Sequence, residues 1–184
     1  MCIRDSYNTI LITAAFYLFF ITLRDFFHKK YRNLSQITAH FSFSILILSI
    51  LFNNIFSSEV IINLKINETY QAQNLKINFE SIEQENKQNF KAIRGKFIVE
   101  DQSGLIEVMQ PELRIYNQPN IVTSEADIKT NIFTDKFMTM NYVQNQDYFN
   151  IRYQVKPFMI WIWISTILLC LSGCLSLIRK KYEN

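Results

Sequence analysis

Three long stretches of this chain carry no charged side chain when histidine is neutral, and they limit what it can fold into. They are residues 7–23, 34–57 and 158–178. A helix of about 20 apolar residues crosses a hydrocarbon core roughly 30 Å thick, so the 17-residue first stretch lies near the lower limit. Uncharged runs of this length favour membrane spans over the buried helices of a soluble core. We therefore predict three transmembrane helices, with membrane lipid as a partner.

Composition excludes two other classes of protein. Hydrophobic residues make up 49% of the 184 residues and charged residues 19%, which is too apolar for a disordered chain. The net charge is only +3, and it is not concentrated in one basic domain. We expect no nucleic acid partner.

Basic residues flank the apolar stretches and predict their orientation. Short loops rich in Lys and Arg stay in the cytoplasm, whereas a long domain crosses the membrane regardless of its charge. Residues 24–33 are therefore predicted to be a cytoplasmic loop, 179–184 a cytoplasmic tail and 58–157 an external domain. The basic residues that support this are Arg24, Lys29, Lys30, Arg32, Arg179, Lys180 and Lys181. A signal peptide over 1–24 is disfavoured, because its basic residues follow the apolar run and no A-x-A-like site is present.

The first six residues, MCIRDS, match what a widely used transposon sequencing adapter encodes in one reading frame. We interpret residues 1–6 as an adapter-derived artefact. On this interpretation the natural protein continues upstream, and the chain is a fragment of a longer one.

Residues 58–157 are typical of a β-rich domain. Alternation of apolar and polar side chains at 75–82 and 151–155 predicts half-buried strands, and 60–66, 93–99 and 105–116 also favour strands. We predict five to seven antiparallel strands in a small sandwich or barrel. Asp101 to Gly104 is predicted to be a hairpin turn, and Pro111 to interrupt a strand or lie at a sheet edge. Residues 123–128 are predicted to begin a short helix.

His40 is the main candidate binding residue. It is the one ionisable side chain in the second apolar stretch, and an ionisable group at membrane depth marks a functional site by default. Neutral imidazole is a good iron ligand, and haem sites are built between helices from such groups. A hydrogen bond from His40 to a Ser or Thr of a neighbouring helix is an equally open interpretation. His28 lies among basic residues and is interpreted as a solvated loop residue.

The remaining chemistry is sparse. Cys170 and Cys174 lie four residues apart with Gly173 between them, a spacing that favours close helix packing over redox or metal chemistry. The chain contains no C-x-x-C, H-E-x-x-H, P-loop or G-x-S-x-G motif. No catalytic residue is assigned from the sequence.

Several short motifs, taken in order, resemble the carboxy-terminal part of the CcmF/NrfE family, the membrane haem lyases of cytochrome c maturation. Ala39-His40 opens a span that ends at Ser57-Ser58-Glu59, and Gln88-Asn89-Phe90 resembles a G-P-N-Y/F element. The other matching pieces are Pro111 to Tyr116 (P-E-K-R-x-Y in the family), Thr123 to Ile128 (T-E-A-A-I), and Lys156-Pro157-Phe158 with Trp161-Ile162-Trp163 (K-P-x-x-x-W-I-W).

The resemblance implies a function and a set of partners. Family members join haem to the two thiols of C-x-x-C-H in apocytochrome c, and hold a b-type haem through two transmembrane histidines. His40 matches the second of these, so the resemblance implies one axial iron ligand from this chain. It also implies the bacterial inner membrane as location, a periplasmic 58–157 domain, and three kinds of partner: the haem chaperone CcmE, CcmH/CcmI-type apocytochrome-handling subunits, and apocytochrome c.

Departures from the family limit this expectation. The tryptophan-rich haem-handling segment, its flanking histidines and the first membrane histidine lie upstream in the family and are not in this sequence. Leu113 replaces the usual Lys, and Ser165 replaces a common Gly. We expect this chain alone to be inactive. Two other functions remain open: a non-catalytic multi-pass membrane protein with an external binding domain and a structural His40, and a distant haem-handling or quinol-linked membrane subunit. Arg114 and Tyr116 are candidates for function, for strand packing or for surface pairing.

Overall fold

The computed structural model describes residues 2–27, 34–72, 75–101, 104–143 and 147–183. Three α-helices frame the chain: α1 (Cys2–Phe27), α2 (Leu34–Phe56) and α3 (Met159–Glu183). Within the described residues, α2 and the Met159–Ile178 part of α3 are long and apolar enough to cross a membrane. The arrangement of three membrane spans stays a prediction.

The basic segments are described only in part. Arg24 lies in the last turn of α1, and α3 continues as helix to Glu183, beyond the predicted start of the tail at 179. The predictions for His28, Lys29, Lys30 and Arg32 fall outside the described residues.

The domain between α2 and α3 is a β-sandwich, so of the two predicted architectures the sandwich is confirmed and the barrel is not. One sheet has the strand order β1-β10-β9-β8, and the other has the order β2-β3-β4-β6-β7 with β5 also paired to β4. The ten strands are β1 (Ser58–Leu64), β2 (Thr69–Ala72), β3 (Leu75–Asn86), β4 (Phe90–Asp101), β5 (Ile106–Met109), β6 (Glu112–Tyr116), β7 (Val122–Glu125), β8 (Asp127–Thr130), β9 (Thr134–Tyr142) and β10 (Phe149–Pro157).

Pro111 interrupts the predicted strand 105–116, which forms the two strands β5 and β6. β5 pairs with the carboxy-terminal half of β4 and β6 with its amino-terminal half, and Pro111 lies between them. Proline has no amide hydrogen to donate, but its carbonyl accepts a hydrogen bond from the Gly95 amide at 3.0 Å. The predicted interruption and the predicted turn ending at Gly104, which has φ +73°, are both confirmed.

The core lies between the two sheets. Alternation along each strand turns every second side chain inward, and the two inner faces interdigitate. The Phe79 and Phe97 rings stack with centroids 4.3 Å apart. The buried cluster contains Leu64, Met138, Met140, Ile151 and Tyr153 from one sheet and Ile77, Phe79, Phe97, Val99, Met109 and Leu113 from the other.

The predicted helix at 123–128 is wrong. β7 and β8 occupy this stretch, and Ala126 lies between them where the chain passes from one sheet to the other. The local capping pattern favoured a helix, but pairing of β7 with β6 and of β8 with β9 satisfies the backbone in extended form. The sequence prediction also gave fewer strands than the ten observed, because β2, β7 and β8 are short and largely polar.

The three helices belong to one compact unit with residues 131–134, and the rest of the sandwich forms a second unit. Hydroxyl groups join the helices. Ser35 Oγ donates to the Ser172 carbonyl at 3.0 Å, and Ser172 Oγ donates to the Ser35 carbonyl at 2.8 Å. The Thr22 and Ser44 hydroxyls lie 3.2 Å apart between α1 and α2.

The predicted packing face at Cys170, Gly173 and Cys174 is wrong for the part of the chain that the structure describes. Both cysteines are exposed, and no atom lies within 4 Å of a Cβ placed on Gly173. The small residues of α3 that are buried are Ser165 and Ser172. They allow close approach in the way that was predicted for the cysteines.

Gly95 is the glycine at which a side chain has no room. A Cβ there would lie 2.6 Å from Cε2 of Phe97 and 2.8 Å from Sδ of Met140, and both neighbours are fully buried. We expect Gly95→Ala to lower the free energy of unfolding by about 1–3 kcal/mol through overpacking. Urea unfolding in detergent, followed by the β-sheet circular dichroism signal, measures the change. Gly173→Ala is the control, because it enters open space. Equal stability of the two variants would contradict the packing described here.

Candidate functional site

His40 lies on the second turn of α2 with an exposed side chain. It lines an open cavity of about 290 Å³ between α1 and α2. Most of the surface of this cavity is apolar, with Asp25 as its one carboxylate. The lining residues are Leu18, Ile21, Thr22, Asp25, Gln36, Ile37 and His40.

The alternative interpretation of His40 was a hydrogen bond to a Ser or Thr of a neighbouring helix. Among the described residues, His40 makes no such hydrogen bond. The hydroxyls near it are used elsewhere: Ser42 donates to the Thr38 carbonyl at 2.7 Å, and Thr22 pairs with Ser44. The imidazole therefore keeps its ring nitrogens available at the wall of an apolar cavity. An imidazole nitrogen without a hydrogen-bond partner is chemically suited to ligate haem iron.

A cage for a bare metal ion is not present in the described part of the chain. No group of three or more His, Cys, Asp or Glu side chains there converges on one point. Haem needs only one or two axial ligands from protein, because the porphyrin supplies the others. The residues around His40 therefore fit haem better than a protein-caged ion.

Several motifs of the β-sandwich domain come together on one of its outer faces. The turn containing Asn89 joins β3 to β4, and β4, β6 and β7 lie side by side. Phe90 pairs with Tyr116 across β4 and β6, and their rings are 5.3 Å apart. The Asn117 amide donates to the Asn89 carbonyl at 3.1 Å, which fixes the turn against the end of β6.

Two arginines share one carboxylate on this face. Arg94 Nε donates to Oε1 of Glu112 at 2.9 Å, and Arg114 Nε and Nη2 donate to Oε2 at 3.2 and 3.1 Å. The Arg114 guanidinium also lies 5.2 Å from the centre of the Phe90 ring, within the range of a cation–π contact. We call Phe90, Arg94, Glu112, Arg114 and Tyr116 the outer-face cluster.

Pairing shifts the pKa values of the charged groups in the outer-face cluster. The hydrogen bonds from Arg94 hold the pKa of Glu112 below its ordinary value; those from Arg114 act in the same direction, while partial burial opposes them. The hydrogen bond to Glu112 raises the pKa of both arginines. Glu112 is therefore a fixed anion between two fixed cations at neutral pH.

An apolar cavity of about 320 Å³ opens on the inner side of the same strands, at the end of the sandwich where β9 ends and β10 begins. Its walls come from both sheets, and nearly all of its surface is apolar. The lining residues are Ile82, Gln84, Ile93, Leu113, Ile115, Val122, Tyr142 and Phe149.

The sequence analysis identified Arg114 and Tyr116 but missed Arg94 and this cavity. Arg94 lies opposite Glu112 in the β4–β6 register, and no sequence motif indicates that pairing. Alternation in β6 was the available signal, since it turns Glu112, Arg114 and Tyr116 outward and Leu113 and Ile115 inward.

The first strand of this β-sandwich follows the apolar helix α2, and its last strand leads into the apolar helix α3, so the chain belongs to the class of helix-flanked β-sandwich domains. The family model described as CcmF C-terminal beta-sandwich matches residues 55–157, more than half of the chain. The chain belongs to the CcmF family, and the resemblance deduced from its motifs is confirmed.

Curated relatives are distant and much longer. The cytochrome c-type biogenesis protein ccl1 of Rhodobacter capsulatus is 29% identical over 65% of this chain and 18% of its own length. NrfE of Haemophilus influenzae is 23% identical over 97% of this chain and 29% of its own length. CcmF of Escherichia coli is 23% identical over 81% of this chain and 23% of its own length. This chain therefore spans less than a third of each of these relatives.

A solved structure, the cytochrome c haem lyase CcmF, shares the fold with a TM-score of 0.57. It is 18% identical and covers 77% of this chain and 24% of its own chain. At this identity the likeness supports the fold and carries no residue role.

The outer-face cluster makes a testable contribution to stability. Glu112→Gln removes the charge that two arginines share, and we expect it to cost about 1–2 kcal/mol at neutral pH. Because the folded pKa of Glu112 is depressed, this contribution is present above the unfolded pKa of about 4.3 and is lost as pH falls through the lower folded value. Urea unfolding as a function of pH measures it.

Glu100→Gln is the matched control for this experiment. Glu100 pairs with Lys76 at 3.7 Å, and both side chains are largely exposed. Exposed pairs contribute about 0–1 kcal/mol. If Glu112→Gln lowers the free energy of unfolding by no more than Glu100→Gln does, the stabilising role assigned to the outer-face cluster is contradicted.

Proposed function

We propose that this chain forms the carboxy-terminal part of a cytochrome c maturation haem lyase, which joins haem to the C-x-x-C-H thiols of apocytochrome c. The family match over 55–157 carries the proposal. Relatives named as cytochrome c-type biogenesis proteins support it, including ccl1, NrfE and CcmF. Thioether formation is proposed for the whole protein, because the chain spans only 18–29% of these relatives.

Within that protein, His40 is proposed as one axial ligand of a membrane b-haem. The imidazole is exposed on α2, has no hydrogen bond among the described residues, and lines a cavity with apolar walls. When bound, this haem would supply electrons that keep the iron of the incoming haem reduced. Apolar side chains such as Leu18, Ile21 and Ile37 would exclude water from the ligand. The second ligand is expected from a part of the protein that this sequence does not contain.

The ligand assignment predicts a spectroscopic loss. In the full-length protein that carries this sequence, His40→Ala is expected to abolish or strongly reduce the b-haem absorbance per polypeptide, because one iron–nitrogen bond is lost. A reduced-minus-oxidised spectrum of the purified protein in detergent measures it.

His28→Ala is the matched control, since it makes the same change at the other histidine. It is expected to leave the haem content unchanged. Wild-type haem content in the His40 variant would eliminate the ligand role. It would favour the alternative of a non-catalytic membrane protein with a structural His40.

The proposed setting is the bacterial inner membrane, crossed at residues 7–23, 34–57 and 158–178. Two of these segments lie in helices that are long and apolar enough to span it. The basic residues of 24–33 and 179–184 then lie in the cytoplasm, and 58–157 in the periplasm. The proposed partners there are CcmE, CcmH/CcmI-type subunits and apocytochrome c. The external domain is the part of this chain that such partners would reach.

The orientation predicts which sites react with a reagent that cannot cross membranes. A single cysteine at Asn120, an exposed turn position, is expected to be labelled in intact spheroplasts. A single cysteine at Lys180 is expected to be labelled only after lysis. The opposite labelling pattern would reverse the topology, and labelling of both sites in intact spheroplasts would eliminate a span between them.

A further inference from the structure

The β8–β9 turn, residues 131–134, exposes two large apolar side chains. Ile132 is 62% exposed and Phe133 is 61% exposed. Tight turns are normally built from Gly, Pro, Asn, Asp and Ser, which lose little by facing water. An Ile-Phe pair at the tip of a turn therefore needs a reason beyond turn geometry.

Three hydrogen bonds hold the backbone of this turn. Asn131 Oδ1 accepts from the Phe133 amide at 2.8 Å and from the Thr134 amide at 3.0 Å. The Asn131 amide donates to the Thr134 carbonyl at 3.0 Å. The turn has this hydrogen-bonded backbone, and both Ile132 and Phe133 are largely exposed at its tip.

Contacts place this turn beside the first residue before α3. The Phe158 amide donates to the Phe133 carbonyl at 2.7 Å, and the two rings meet edge to face with centroids 6.4 Å apart. Residues 131–134 accordingly belong to the same compact unit as the helices. The apolar stretch of α3 begins at Met159, and Trp163 is exposed one turn further on.

Position and chemistry together point to a lipid surface. Where an apolar helix enters a bilayer, aromatic side chains lie at the level of the head groups, and Trp161 and Trp163 have the right position for this. The turn lies next to that level and contains no charged residue. Large apolar side chains gain free energy by entering the boundary between head groups and acyl chains.

We propose that the β8–β9 turn is an interfacial membrane anchor, which inserts Ile132 and Phe133 into the outer leaflet beside α3. The proposal rests on the membrane orientation given under the proposed function. The partner is the lipid itself, so insertion requires no second protein.

Site-directed spin labelling tests the proposal in the full-length protein, reconstituted in vesicles of phosphatidylethanolamine and phosphatidylglycerol. Each variant keeps one cysteine, with the others changed to serine. Ile132→Cys reports on the turn. Ile121→Cys is the matched control, because Ile121 is a 50% exposed isoleucine in the β6–β7 turn, at the other end of β9. The native Cys170 lies ~17 Å along α3 from Met159 and reports on the bilayer interior.

The measured quantity is the ratio of oxygen collisions to water-soluble nickel-chelate collisions at each label. We expect the ratio to be several-fold higher at position 132 than at 121, and highest at 170. A ratio at 132 equal to that at 121, with 170 still immersed, would overturn the anchor and leave the spans intact. A water-like ratio at 170 would instead overturn the span in α3, and the proposed membrane orientation with it. Because Ile132 is largely exposed, cysteine there is expected to leave the fold unchanged.

Discussion

The hydrogen bond from the Phe158 amide to the Phe133 carbonyl is the contact on which the helical unit depends at its junction with the last strand. Phe158 has φ +59°, a left-handed conformation that is costly for a bulky residue. Its surroundings hold it there: the Asn53 side-chain amide donates to the Pro157 carbonyl at 2.6 Å, and the Phe52 ring lies 5.3 Å from the Phe158 ring. In one residue the chain thus changes from strand to helix, with α2, α3 and the β8–β9 turn joined at the same point.

The strands of the sandwich use their two faces for different purposes. On β6 the inward residues Leu113 and Ile115 pack into the core and the apolar cavity. The outward residues Glu112, Arg114 and Tyr116 form a surface of ion pairs and a tilted ring contact. In this chain, β6 therefore has packing residues on one side and paired charges on the other. Each arginine of the outer-face cluster already has a carboxylate partner, so the charges of the cluster are paired within this face. Arg114 and Tyr116 thus have the pairing and packing that the sequence suggested, and a functional role for them stays a prediction.

The sequence was most informative where one local signal dominates. Uncharged runs predicted the helices, two-residue alternation predicted β3 and β10, and Pro111 predicted a break. It failed where long-range pairing decides the outcome. Residues 123–128 carry helix-capping chemistry but form strands, because β6 and β9 offer them partners. The candidate site residues show the same difference. His40 was evident from the sequence as a polar residue in an apolar helix. The pairing of Arg94 with Glu112 depends on strand register, which the sequence does not show. Spacing alone also misassigned the cysteines of α3, since it does not determine which face meets a neighbour.

The pairing of β1 with β10 has a consequence for how the domain is made. Leu64 of β1 lies opposite Phe149 of β10, and Phe149 is synthesised 85 residues after Leu64. At ~5–20 residues per second the delay is roughly 4–17 seconds. During that time the edge of β1 that β10 will cover is open, while β3, β4, β5 and β6 form their local hairpins. Closure of the four-stranded sheet is therefore a late event in biosynthesis, and it coincides with the emergence of α3 immediately behind β10. Completion of the fold and completion of the helical unit are in this way coupled in time by the order of the strands.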